Sequence, residues 1–522
     1  MEIRKLPIGI QDFERLIKGK YIYVDKTEYV YKLAKSGLPY FLSRPRRFGK
    51  SLFLSTLRAY FEGKKELFKG LKIEELERED PDAWQEYPVF YFDFNKDEYR
   101  RAVALEDVLK THLEKWESEY NVEPGEHSLA ARFQNLIVKA VETTGRNAVV
   151  LVDEYDKSPL EVGNEERLEH NEAVFKGFFS TLKSYDRYLK FVFLTGVTKF
   201  SKVSIFSDLN HLNDISLDRE YSGICGITQG ELEETFGPEI EMLADSQGLD
   251  RERCLAELKK MYDGYHFSRS SEGIYNPFSL INAFGKKEFG MYWFSTGTPT
   301  FLIEKLKSSG FDAKQITSGE LYASESVLTD YRYDNPNPIP LFYQTGYLTI
   351  TGYDKKYRSY QLNYPNDEVK YGFLESLAPL FLNEEKEPDP LDIRSFGRDI
   401  DTGNTDGLRD RFTALFSRLP YPNEEKTVEN NFQNVIYIVF MLLGQYTRAE
   451  VHSSKGRADC IVETDDYVYI FEFKRDKTAE EALKQIEDMG YAKPYAADRR
   501  KLIKIGVSFD SKERSVSGWI VE

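Results

Sequence analysis

Phe41-Leu42-Ser43-Arg44-Pro45-Arg46-Arg47-Phe48-Gly49-Lys50-Ser51 runs from an apolar stretch through a basic loop into a second, helix-spaced apolar stretch. Strand, loop and helix in that order make an anion site. Gly49 would let backbone N–H groups approach a phosphate, Lys50 would reach the β- and γ-phosphates, and Ser51 would ligate Mg2+. The stretch departs from G-x-x-x-x-G-K-[ST] at its first glycine, where Arg44 stands, and Pro45 has no N–H to offer. Arg44, Arg46 and Arg47 are therefore expected to bring side-chain charge to the phosphates.

About a hundred residues further on, Ala148-Val149-Val150-Leu151-Val152 ends in Asp153-Glu154. Asp153 is expected to hold the metal through water, and Glu154 to orient and deprotonate an attacking water. A third apolar run, Phe191-Val192-Phe193-Leu194-Thr195, puts the Thr195 hydroxyl where it would reach the γ-phosphate. Between these runs lie helix-patterned segments, Lys50 to Phe61, Leu105 to Glu119, Ala130 to Thr143 and Asn171 to Ser184, with a further strand over Val89 to Asn95. The alternation predicts an α/β fold: a P-loop NTPase-like parallel sheet with helices on both faces, binding ATP with Mg2+.

The chain is long enough, at 522 residues, for more than one core. A turn-rich, helix-patterned middle (Gln229 to Ser246, Arg251 to Tyr262) follows, and Leu419-Pro420-Tyr421-Pro422 is a boundary signal. The expected division is 1–225 for the phosphate-loop domain, 226–420 for a helical lid and connector, and 421–522 for a last domain. Cys225, Cys254 and Cys460 fit neither a disulfide framework nor a zinc pattern, and no signal-like or membrane-length apolar run occurs, so a cytoplasmic chain with no membrane contact is expected. A net charge of −16 argues against a surface built throughout for nucleic acid. From Thr427 onward, however, 14 Lys and Arg face 16 Asp and Glu, which leaves room for a local phosphate site.

That last segment reads as a hairpin: Cys460-Ile461-Val462, a turn at Thr464-Asp465-Asp466, then Tyr467 to Lys474. Alternation puts Glu472 and Lys474 on one face, and the return strand can bring Asp459 beside them. Two carboxylates and an ammonium suit phosphodiester hydrolysis with Mg2+ or Mn2+: hard oxygens hold the metal, and Lys474 orients hydroxide or steadies the charged phosphorus centre. Glu429, at the start of a helical run from Val428 to Leu443, would add a third carboxylate. Gln485, on a helix from Ala479 to Met489, would orient a ligand or phosphate. The bland alternative is a surface Glu-x-Lys ion pair.

The loop Arg44 to Ser51, together with Leu6-Pro7-Ile8-Gly9, Val24-Asp25-Lys26-Thr27, Val152 to Asp156 and Leu194 to Phe200, resembles the bacterial AAA-ATPase-like family over roughly residues 1 to 225. The resemblance implies that the Arg-rich loop is a family trait. The segment Gly456 to Tyr491 resembles the D-x(n)-E-x-K signature of PD-(D/E)XK nucleases, which family members carry behind the ATPase-like domain, and implies a restriction-endonuclease-like α/β fold. Ala458 stands before Asp459 where that superfamily often has proline, and Gln433 where some relatives have histidine beside the carboxylate.

Two readings follow. The first is an ATP-regulated, Mg2+-dependent nuclease acting on DNA, in which a homo-oligomer would let Arg187 or Arg219 reach a neighbouring nucleotide. The second is a non-catalytic, nucleotide-dependent switch or interaction protein that keeps both folds. His266, set among aromatics, is read as a structural residue in either case.

Overall fold

The computed structural model describes residues 4–96, 104–125, 127–160, 165–199, 212–294, 302, 316, 321–329, 337–382, 392–417, 435–436, 438–444, 450–452, 460–513 and 515–522. The chain divides into two units, one of Met1–Trp293 with Tyr322–Asn366, the other of Phe294–Leu321 with Asp367–Glu522.

In the first unit, β1 (Pro39–Ser43), β2 (Val89–Asp93), β3 (Ala148–Asp153), β4 (Leu189–Gly196) and the short β5 (Asn213–Asp214) form one sheet in the order β2-β3-β4-β1-β5. Every pairing is parallel. All six residues of β3 are buried, as a central strand covered on both faces requires. The helices Lys50–Phe61, Ala104–Glu119, Leu129–Thr144 and Glu165–Phe179 accompany it. β4 lies between β1 and β3, so the loop after β1 and the acids after β3 flank a strand that the chain inserts late. Open parallel sheets bind ligands beyond the carboxyl ends of such strands.

The helices Gln229–Thr235, Gly237–Gln247, Arg251–Tyr262 and Pro277–Lys286 belong to this same unit and share a core of Leu232, Phe236, Leu243, Leu258 and Phe284 that also includes Ile22. The helix expected over Gln229 to Ser246 is two helices that meet at Phe236. Pro238 fits the first turn of a new helix and would disrupt the interior of a continuous one. The middle region is also not purely helical: β6 (Tyr322–Ser324), β7 (Thr349–Asp354) and β8 (Ser359–Asn363) form an antiparallel sheet ordered β6-β8-β7. The three domains expected from sequence and the two compact units thus have different boundaries, since 226–293 and 322–366 go with the parallel sheet.

The second unit is built on β9 (Glu450–His452), β10 (Cys460–Glu463), β11 (Tyr467–Arg475), β12 (Lys501–Asp510) and β13 (Ser515–Val521), in the order β13-β12-β11-β10-β9. Only β11 and β12 are parallel, and the helix Ala479–Met489 makes the crossover between them. A capping box at Thr478 and Glu481 starts that helix and Gly490 ends it. Phe471 and Phe473 pack against Phe440, and Phe473 also against Phe412. This is the mixed α/β fold expected of the last domain.

Candidate functional sites

The loop after β1 reaches the helix Lys50–Phe61 through Gly49, whose φ of 93° only glycine adopts without strain. Gly49 is the helix N-cap and no side chain caps that terminus, so its first N–H groups are the kind an anion completes. Lys50 is buried, and its ammonium donates to the carbonyls of Arg44 at 2.9 Å and Pro45 at 3.0 Å. It is folded over the loop it would share with a phosphate.

The ends of β3 and β4 hold the acids and the hydroxyl. Asp153 pairs in register with Asp93, and Thr195 with Leu42 of the phosphate-loop strand. Asp153 is buried, and one carboxylate oxygen accepts the Tyr91 hydroxyl at 3.3 Å. Its other oxygen, Oδ1, is buried with no hydrogen-bond partner among the described residues, and so is Oγ1 of Thr195. Burial pushes the Asp153 carboxyl up to about 6; the charges of Glu154 and Asp93 add to the rise, while Ser51 and Lys50 oppose it. Glu154 sits at a φ of 52°, a conformation that costs energy and that clusters at active sites. Two orphaned polar atoms beside a lysine and a serine fit a metal-bound nucleotide. No cluster of three metal-ligating side chains occurs among the described residues.

The arginines divide. Against the expectation that Arg44 lies on the phosphates, its guanidinium is 1% exposed and donates to the carbonyls of Ser43 (2.8 Å), Ser216 (2.8 Å) and Tyr221 (3.0 Å), with the Phe267 ring 4.0 Å away. Caged by carbonyls, it braces the loop from beneath. Arg46 is half-buried and Arg47 exposed, with its guanidinium 5.1 Å from the Phe278 ring.

Asp156 carries no expected role from its place in the motif, yet its buried Oδ2 accepts N–H bonds from Val197 (2.9 Å) and Thr198 (2.6 Å) and the Thr198 hydroxyl at 2.8 Å. It pins the turn that follows Thr195. An apolar cavity of about 90 Å3 borders Gly49, lined by Pro7, Tyr23, Val24, Leu52, Cys225 and Ile281 among others. No sequence signal marks it, because its walls come from segments more than two hundred residues apart.

In the second unit Glu472 is buried, and its Oε1 lies 2.9 Å from the Lys474 ammonium, which also donates to Oε1 of Gln485 at 2.6 Å. Strand alternation and the crossover helix thus bring these three together. The hairpin register ends with Cys460 opposite Phe471, one residue short of Asp459. Asp459 and Glu429 lie outside the described residues, as does Gln433.

A phosphate-loop sheet and a second sheet carrying Glu-x-Lys define a two-site protein of the ATPase-like and nuclease-like classes. Residues 7–206 match the family model described as "Predicted AAA-ATPase", and residues 427–519 match the PD-(D/E)XK nuclease superfamily. A protein of Azotobacter chroococcum mcd 1, described as "Uncharacterized protein in vnfD 5'region", is 38% identical over 544 aligned positions covering 100% of this chain and 99% of that one. The chain belongs to this AAA-ATPase-like family and also carries a PD-(D/E)XK nuclease superfamily domain. Among the described residues no helix is long and apolar enough to cross a membrane.

Proposed function

We propose that this protein is an ATP-regulated, Mg2+- or Mn2+-dependent nuclease acting on DNA in the cytoplasm, in which nucleotide at the first site governs cutting at the second. The observation that carries the nucleotide half is the pair of buried, unpartnered atoms, Asp153 Oδ1 and Thr195 Oγ1, at the carboxyl ends of adjacent strands. Lys50, Ser51 and the N–H groups after Gly49 would hold the phosphates, Arg46 and Arg47 would screen their charge, and the apolar cavity beside Gly49 would take the base. Glu154 would orient the attacking water.

The nuclease half rests on Glu472, Lys474 and Gln485, held in one hydrogen-bonded group. Asp459 and Glu472, with Glu429 as a third carboxylate, would hold a divalent metal, whose chemistry there is to make hydroxide available near neutral pH. Lys474 would orient that hydroxide and steady charge on the phosphorus centre, with Gln485 fixing the ammonium.

A second reading, a nucleotide-dependent switch without turnover, is favoured by one feature: Lys50 is already satisfied by the loop's own carbonyls, and Pro45 removes a donor from the cradle. Cleavage of circular DNA and release of phosphate from ATP, measured on the same preparation, separate the two. The first reading expects cleavage that disappears in the Asp459→Ala/Glu472→Ala double variant. Stoichiometric ATP binding with neither phosphate release nor cleavage would leave the switch.

A further inference from the structure

The chain carries a net charge of −16, yet Lys355-Lys356-Tyr357-Arg358 puts three cations and an aromatic ring into four consecutive residues. These residues form the tip of the β7–β8 hairpin, just beyond its last pair, Asp354 with Ser359. All four are exposed, and Tyr357, at 71%, is more open than any other exposed large hydrophobic side chain among the described residues. Single exposed apolar residues need no explanation. A ring bracketed by three cations, none in an ion pair among the described residues, does.

The tip is built. Oδ1 of Asp354 accepts the N–H groups of Lys356 (2.8 Å) and Tyr357 (3.0 Å), so the one carboxylate in the turn is directed onto the backbone. Below it, the Tyr353 and Tyr360 rings lie 5.0 Å apart, and the Arg269 guanidinium is 4.2 Å from the Tyr353 ring. Glu325 accepts from both Arg269 and the Tyr360 hydroxyl. The Lys356 ammonium is 4.8 Å from the Tyr357 ring centroid. Arg358 has a φ of 53°, a left-handed position where glycine or asparagine sits at lower cost. Arg358 thus holds a third cation at the tip in a backbone position that costs energy.

We propose that this tip grips single-stranded DNA, with Tyr357 stacked on an unpaired base and Lys355, Lys356 and Arg358 on the flanking phosphates. The assignment rests on the reading of the chain as acting on DNA and adds where the strand is held. Cations along a backbone with an aromatic platform between them are the general means of binding unpaired strands. A duplex offers Tyr357 no open base face. The negative charge of the rest of the chain is screened beyond about 8 Å at physiological salt, so the local cluster sets the interaction.

The test is fluorescence anisotropy of a labelled oligo(dT) with the full-length chain in EDTA, so that binding is read without cleavage. Tyr357→Ala should weaken binding about tenfold or more, while Tyr357→Phe stays near wild type. The Lys355→Ser/Lys356→Ser double variant should flatten the dependence of log K on log salt by a slope of about 1.4. Arg358→Gly relieves the backbone and should still weaken binding, which separates lost contact from lost folding. Wild-type affinity in all of these variants overturns the proposal, as does tip-dependent binding to anionic lipid vesicles without binding to the oligonucleotide. If the tip variants lose DNA while wild type never cleaves with Mg2+, the tip stands and the nuclease reading falls. If wild type cleaves and the tip variants bind normally, the reverse holds.

Discussion

The phosphate-loop end of the parallel sheet and the Glu472 face of the C-terminal sheet both set acid beside lysine inside a buried strand end, but they are finished to different degrees. At the first, Asp153 Oδ1 and Thr195 Oγ1 have no hydrogen-bond partner among the described residues. At the second, Glu472, Lys474 and Gln485 already satisfy one another. A buried polar atom left unpaired costs about 1–3 kcal/mol, a cost that a ligand bound at the first site would remove. At the second, any cation that binds Glu472 must do so against an existing ion pair.

The largest expected effect breaks the second site alone. Glu472→Ala should lower DNA cleavage by on the order of a thousandfold and leave ATP affinity unchanged, as read by plasmid cleavage and nucleotide titration on one preparation. Gln485→Ala, which loosens the Lys474 ammonium without removing it, should cost about tenfold. Breaking the first site with Lys50→Ala should weaken ATP binding by about 10- to 100-fold, the value of a lost charge-assisted bond to phosphate. Equal affinities for the variant and wild type would remove Lys50 from the nucleotide site.

The next prediction sharpens the division among the arginines. Arg44→Ala leaves the carbonyls of Ser43, Ser216 and Tyr221 without their donor and should destabilise the chain by about 3 kcal/mol, visible as a lowered Tm. Arg47→Ala, on the exposed side, should stay within about 0.5 kcal/mol of wild type and weaken nucleotide binding instead.

A further effect concerns pH. The Asp153 carboxyl, held up at about 6 by burial with help from Glu154 and Asp93, keeps its proton in the folded ligand-free chain over a range where the unfolded chain has released it. A raised acid stabilises the fold at low pH, and that contribution is lost as pH rises from about 4 to about 6, a decline of about 2–3 kcal/mol. Asp153→Asn should remove the decline, so that denaturant unfolding of the variant at neutral pH comes later than that of wild type. An unchanged slope across that window would mean that Asp153 titrates normally.

The sheet of the first unit was legible because a parallel strand covered on both faces leaves an uninterrupted apolar run. Ala148 to Val152 and Phe191 to Thr195 could be read as strands without knowledge of their neighbours. Glu472, Lys474 and Gln485 were legible because the period of two along a strand and a short crossover are local rules. The fate of Arg44 was not, since its carbonyl partners at Ser216 and Tyr221 lie 172 and 177 residues away, and a basic loop looks the same whether an arginine faces phosphate or backbone. The sheet of β6, β7 and β8 was missed for a related reason. Its strands are only three to six residues long and polar on one face, so their pairing carries more information than their pattern. Tyr91 and Asp156, which hold Asp153 and the turn after Thr195, gain their roles from contacts that no spacing rule announces.

The central claim, that nucleotide at the first site governs cutting at the second, is tested most directly by following DNA cleavage with Mg2+ as a function of ATP concentration in wild type and in Lys50→Ala. The rate should change with ATP in wild type and be indifferent to ATP in the variant, with Glu472→Ala inactive throughout. Cleavage by wild type that is indifferent to ATP, or cleavage that survives in Glu472→Ala, would contradict it.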